Sequence, residues 1–127
     1  MNPAALSYRW IAAVWFVLSL GLAAVIGVLT LMPVAFVPEG PDGVDKIYHA
    51  LAFAALVFPT ASLRPRLLWA VAPLALLYGA AIEIIQPHVG RSGEVADLIA
   101  DGLGVVFGIG LGFVVWRLLS WRVSSLT

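Results

Sequence analysis

The chain has 127 residues, of which 62% are hydrophobic and only 11% charged, with a mean hydropathy of +1.04. Soluble domains are about a quarter charged, so this chain cannot coat a water-facing surface and reads as one integral membrane domain over residues 1–127. Its 7 basic and 7 acidic residues form no basic tract, which excludes a nucleic-acid partner, and the lack of cysteine excludes disulfides, a thiol nucleophile and cysteine-bound zinc.

The first apolar run covers residues 10–32, which meets the roughly 20 residues a spanning helix needs. A secretory signal has an apolar region of only about 7–15 residues before a small-residue cleavage site. This run is longer and ends in Met32-Pro33, so it is expected to stay as a span. Residues 33–44 carry Pro33, Pro38, Gly40, Pro41 and Gly43, which predicts a loop. Its charges, Glu39 and Asp42, are both acidic. A second helix is predicted over about 45–62, short for a span, with its polar first turn in the interface. Leu63, Arg64, Pro65 and Arg66 make a tight basic turn. The third helix is predicted over about 67–86, stopped by Pro87. A loop with His88, Gly90, Arg91, Gly93 and Glu94 leads to a fourth helix over about 95–119. Trp116, Arg117, Trp121 and Arg122 close it as an interfacial belt. The expected fold is therefore an all-α membrane bundle of four helices.

Three short loops put both termini on one side. Five arginines lie there, Arg9, Arg64, Arg66, Arg117 and Arg122, against Lys46 and Arg91 on the other side. Positive residues favour the cytoplasmic side, so the termini are expected inside. Every acidic residue falls on the opposite side or in the half-helix leading to it.

Antiparallel connectivity brings polar residues of three helices to one depth. Asp45 and His49 are four residues apart and share a helical face. Glu83 and Gln86 end the third helix, and Asp97 and Asp101 open the fourth. Ionisable groups in lipid are costly and mark functional sites. The carboxylates Asp45, Glu83, Asp97 and Asp101 outnumber the cations Lys46 and Arg91. That imbalance is met by a protonated carboxyl, a cationic ligand, or a metal held by His49 and two or three carboxylates. The residue types fit a metal, but no compact local motif names one, so the cofactor stays open. Glu94 reads as a first-turn acid, His88 as a solvated loop side chain, and Tyr78 and Gly79 as packing. Gly104, Gly108 and Gly112 continue the aspartate stripe at i, i+4, i+8 and predict close helix packing.

Taken in order, Asp45-Lys46-x-x-His49, Glu83-x-x-Gln86, Arg91 and Asp97-x-x-x-Asp101-x-x-Gly104 resemble the pattern of VanZ-like proteins. These are small bacterial membrane proteins named after a teicoplanin-resistance protein. The resemblance runs from about residue 45 to 108 and implies a multi-pass protein of the bacterial plasma membrane. It also implies a link to glycopeptide antibiotics, which act on lipid-linked cell-wall precursors outside the membrane. The family often has Asn where this chain has Asp101, which adds a charge here.

Three readings follow. In the first, an outward polar pocket binds an envelope lipid or glycopeptide-type ligand through Lys46, Gln86, Arg91, Asp97 and Asp101. In the second, an intramembrane hydrolase or transferase uses His49 as general base, positioned by Asp45, with Glu83 as acid or metal ligand. In the third, the protein docks on another membrane protein or on itself through its glycine stripe.

Overall fold

The structure, a computed structural model, describes residues 3–33, 41 and 43–124. The expected loop acids Glu39 and Asp42 lie outside the described residues. Four helices follow in order: α1 (Pro3–Leu31), α2 (Val44–Leu63), α3 (Leu68–Ile85) and α4 (Val95–Ser124). All four are long and apolar enough to cross a membrane. The fold is an all-α four-helix membrane bundle.

The helix ends differ from the hydropathy limits in a consistent way. α1 begins at Pro3, well before the apolar run, and α4 continues to Ser124. Proline is compatible with a first helical turn, and Ala4, Ala5 and Leu6 are good helix formers. Hydropathy marks the stretch in lipid, while the helix itself runs on into the interface. Gln86–Val89, expected to open a loop at Pro87, forms a 3₁₀ turn instead, as does Pro65–Leu67. In both turns the proline stands among the first residues, where its missing N–H costs nothing.

α2 is the central helix. Phe53, Val57 and Ala61 on it are completely buried, and its main neighbour is α4. The glycine stripe makes that pairing. A Cβ at Gly104 or Gly108 would overlap the carbonyl of Ala50 or Ala54, and one at Gly112 would overlap the Ala61 side chain. Small residues let helix backbones approach closely where lipid removes the hydrophobic drive between helices. Gly104, Gly108 and Gly112 are thus occupied by the α2 contact within the chain. Ile26, Leu56, Ala75, Ile82 and Val105 complete the core around α2. Outward-facing Val17, Leu20 and Val28 on α1, Leu74 and Leu77 on α3, and Val106 and Phe107 on α4 are exposed. Such a continuous apolar surface suits lipid rather than water.

Side-chain hydrogen bonds fasten the outer helices. Trp15 Nε1 donates to Thr60 Oγ1 at 2.8 Å, and the Tyr78 hydroxyl donates to the Ala23 carbonyl at 2.6 Å. At the end holding the α2–α3 turn, Arg64 donates to the Tyr8 hydroxyl at 2.7 Å and lies 4.5 Å from that ring's centroid. Interhelical hydrogen bonds in lipid contribute modestly. Tyr78→Phe is therefore expected to cost about 0.5–1 kcal/mol in a detergent unfolding titration. A loss above about 2 kcal/mol would mean that α1 depends on this contact far more than the geometry indicates.

Candidate functional site

The glycine stripe also aims the polar cluster. Asp101 lies three residues before Gly104, and Asp97 four before Asp101, so all three share the α4 face packed on α2. That setting brings Asp101 Oδ1 to 2.9 Å from His49 Nδ1. With Asp101 ionised, the ring nitrogen donates. Both side chains are buried, Asp101 completely. Gly79 on α3 gives the aspartate room, because a Cβ there would overlap Asp101 Oδ2.

Asp45 does not position His49, contrary to the reading of their shared face. Its Oδ2 lies 3.0 Å from Lys46 Nζ instead. The same ammonium lies 3.0 Å from Glu94 Oε2 and 3.3 Å from Asp97 Oδ1. Asp45 stands at the half-exposed start of α2, so its carboxylate meets the nearest cation, while His49 is turned into the helix interface. Lys46 is thus the counter-ion of three carboxylates.

Glu83 links the two halves of the cluster. Its Oε2 accepts the Glu94 backbone N–H at 2.7 Å, and its Oε1 lies 3.9 Å from His49 Nδ1. The loop reaches this close because residue 93 is glycine: a Cβ there would overlap the Glu83 carbonyl. Glu94 is therefore part of the cluster as well as the residue just before α4. Its carbonyl accepts from the Asp97 and Leu98 amides, while its side chain takes Lys46 and the Ser92 hydroxyl. The Lys46 ammonium, helped by Ser92, holds the Glu94 carboxyl below its usual range. A depressed carboxyl pKa adds stability above the ordinary carboxylate range and loses it as pH falls. The Glu94–Lys46 tie therefore weakens in acid.

The remaining candidates separate. Gln86 is buried, and its Nε2 donates to the Thr30 carbonyl at 3.3 Å, so it ties the end of α3 to α1. His88 is exposed in its 3₁₀ turn. Arg91 is half-buried; its backbone N–H donates to the Gln86 carbonyl at 3.0 Å, while its side chain makes no hydrogen bond or ion pair among the described residues. It lines a cleft of about 880 Å³ that opens beside the cluster. Ile26 and Leu29 from α1, with Ala52 and Phe53 from α2, form its apolar part. Asp45, Lys46, His49, Glu94 and Arg91 form its polar part.

Sequence reasoning undervalued Glu94. It stands three residues before Asp97, so a helical register puts both acids on one side of the opening turn. That spacing was the available signal.

Four apolar helices around a buried histidine–carboxylate cluster define a multi-pass membrane protein with one polar end. The family model described as VanZ/LLP1 matches residues 4–117, and the chain belongs to this family. No curated protein and no solved structure matches the chain.

Proposed function

We propose that this protein binds an anionic envelope lipid or a glycopeptide-type ligand in the cleft beside α1 and α2. The observation that supports this reading is a cleft lined by apolar residues and by polar ones that include a cation, Arg91, that no described carboxylate neutralises. An acyl or prenyl chain fits the first part and a phosphate or carboxylate the second. Guanidinium is a strong, directional partner for either anion. Lys46, surrounded by carboxylates, acts as the cluster's counter-ion, and Gln86 as a fastener of the cleft wall.

The proposed setting is the bacterial plasma membrane with both termini in the cytoplasm, supported by the five arginines of the terminal side. The cleft then opens to the outer leaflet, where glycopeptide antibiotics meet lipid-linked precursors. A reporter fused at the C-terminus should be active only in the cytoplasm. Activity only outside would reverse the orientation.

Arg91→Gln is the direct test of the ligand contact. With a polyisoprenyl phosphate in detergent as probe, its Kd is expected to rise about tenfold, the loss of one charge-assisted hydrogen bond of about 1.4 kcal/mol. An unchanged Kd would remove Arg91 from the site. A second reading, an intramembrane hydrolase or transferase, draws on the buried His49–Asp101 pair at 2.9 Å. There His49 serves as base, Asp101 orients it and Glu83 is the acid. It requires that His49→Ala abolish turnover of a lipid-linked substrate, and unchanged turnover would reject it.

A further inference from the structure

We propose that His49, Glu83 and Asp97 form a binding site for a divalent transition-metal ion beside the cleft, with Asp101 as the positioning residue of the imidazole. The three residues each offer a ligating atom, and these atoms lie within 4.8 Å of one another. They come from α2, α3 and α4, so the bundle itself sets their spacing.

Three further observations point to a cation. The first is unspent ligand capacity. Among the described residues, Glu83 Oε1, Asp97 Oδ1 and Asp101 Oδ2 are buried and have no hydrogen-bond partner, although Asp97 Oδ1 lies 3.3 Å from Lys46 Nζ. The Asp97 side chain is 6% exposed and the Glu83 side chain 10%. Buried carboxylate oxygens left unpaired are expensive, and a cation removes that cost.

The second is charge. Contacts connect five carboxylates, those of Asp45, Glu83, Glu94, Asp97 and Asp101, to one ammonium and one imidazole. Even with His49 protonated, the cluster is left with an excess of negative charge in a low-dielectric setting. A dication offsets two of those charges.

The third is the orientation of His49. Its Nδ1–H is given to Asp101 Oδ1 at 2.9 Å. The same nitrogen lies 3.9 Å from Glu83 Oε1, and a neutral imidazole with its proton on Nδ1 keeps a lone pair on Nε2 for a metal. Histidines that bind metals regularly donate their other N–H to a carboxylate, which fixes the tautomer and strengthens the ligand. Asp101 supplies that carboxylate, and Gly79 gives it space.

The donor set selects the ion class. One imidazole with two carboxylates suits Zn²⁺ or a neighbouring first-row ion, whereas Ca²⁺ and Mg²⁺ take all-oxygen shells. This inference stands apart from ligand binding in the cleft, since Arg91 is no part of it.

The test uses the full chain in detergent, stripped with a chelator, loaded with Zn²⁺ and desalted before elemental analysis. Wild type should retain about one equivalent. Glu83→Gln, which keeps an acceptor for the Glu94 amide, should retain less than about a fifth of that, and so should His49→Ala. His88→Ala, which removes the other histidine, and Arg91→Gln should both match wild type. A large excess of Ca²⁺ should not displace the zinc. Helical content by circular dichroism identifies any variant that has unfolded, and Asp97→Asn replaces it in the comparison. Folded Glu83→Gln and Asp97→Asn proteins that keep a full equivalent would overturn the proposal. So would a wild type that retains no zinc, or zinc lost on His88→Ala, or zinc displaced by Ca²⁺. Loss of lipid binding in Arg91→Gln with zinc retained would separate the two sites.

Discussion

Asp101→Ala should destabilise the protein by about 3 kcal/mol, a large part of a typical total stability of 5–15 kcal/mol. Asp101 is completely buried and accepts from His49 Nδ1 at 2.9 Å. Its removal leaves a buried imidazole N–H unpaired and opens a cavity against Gly79. Asp101→Asn keeps an acceptor oxygen in the same volume and should cost only about 1 kcal/mol. Unfolding titrations of the three proteins in one detergent measure the difference. If alanine and asparagine cost the same, the carboxylate does not serve His49 as the geometry indicates.

Gly108→Val should cost about 3 kcal/mol or more and lower the yield of folded protein. Its side chain would overlap the Ala54 carbonyl and Cα, so α4 can accept it only by moving off α2. Because Asp97 and Asp101 stand on the same face, that movement also separates Asp101 from His49. The comparison is Gly110→Val, two residues away on the same helix. A Cβ at Gly110 meets nothing within 4 Å. Its expected cost is below about 1 kcal/mol, with the helix-propensity loss of Gly relieved and a lipid-facing valine gained. Equal destabilisation by both would show that glycine at this depth matters for helix flexibility rather than for contact with α2.

The sequence made the bundle and the depth of its polar cluster legible for separate reasons. Apolar length fixes spans almost independently of neighbours, because lipid demands satisfied backbone groups. Three short connections then force the starts of α2 and α4 and the end of α3 to one level. Rotation about each helix axis was harder to read. Asp45 and His49 share a face by register, yet Asp45 meets Lys46 while His49 meets Asp101 across the α2–α4 contact. That outcome depends on Gly104 and Gly108 seating against Ala50 and Ala54, a contact more than fifty residues apart in the chain. The glycine spacing was visible, but its partner surface was not.

Lys46 and Gln86 show a related limit. Both belong to the motif, and residue type alone suits both to a ligand. In the folded chain Lys46 is surrounded by Asp45, Glu94 and Asp97, and Gln86 holds the Thr30 carbonyl. Their partners come from other helices and from the α3–α4 loop, so no local pattern announces them. Arg91 keeps its capacity because its side chain lines the cleft without an ion pair to any described carboxylate.

The central claim is that the cleft holds an anionic lipid. Native mass spectrometry of the protein released from bacterial membrane extract measures this most directly. The wild type should carry a lipid adduct with a phosphate or carboxylate headgroup. Ala52→Trp, which fills the cleft's apolar part, should lose it, and Arg91→Gln should hold it less. An adduct of equal abundance in all three proteins would place any lipid elsewhere and contradict the account.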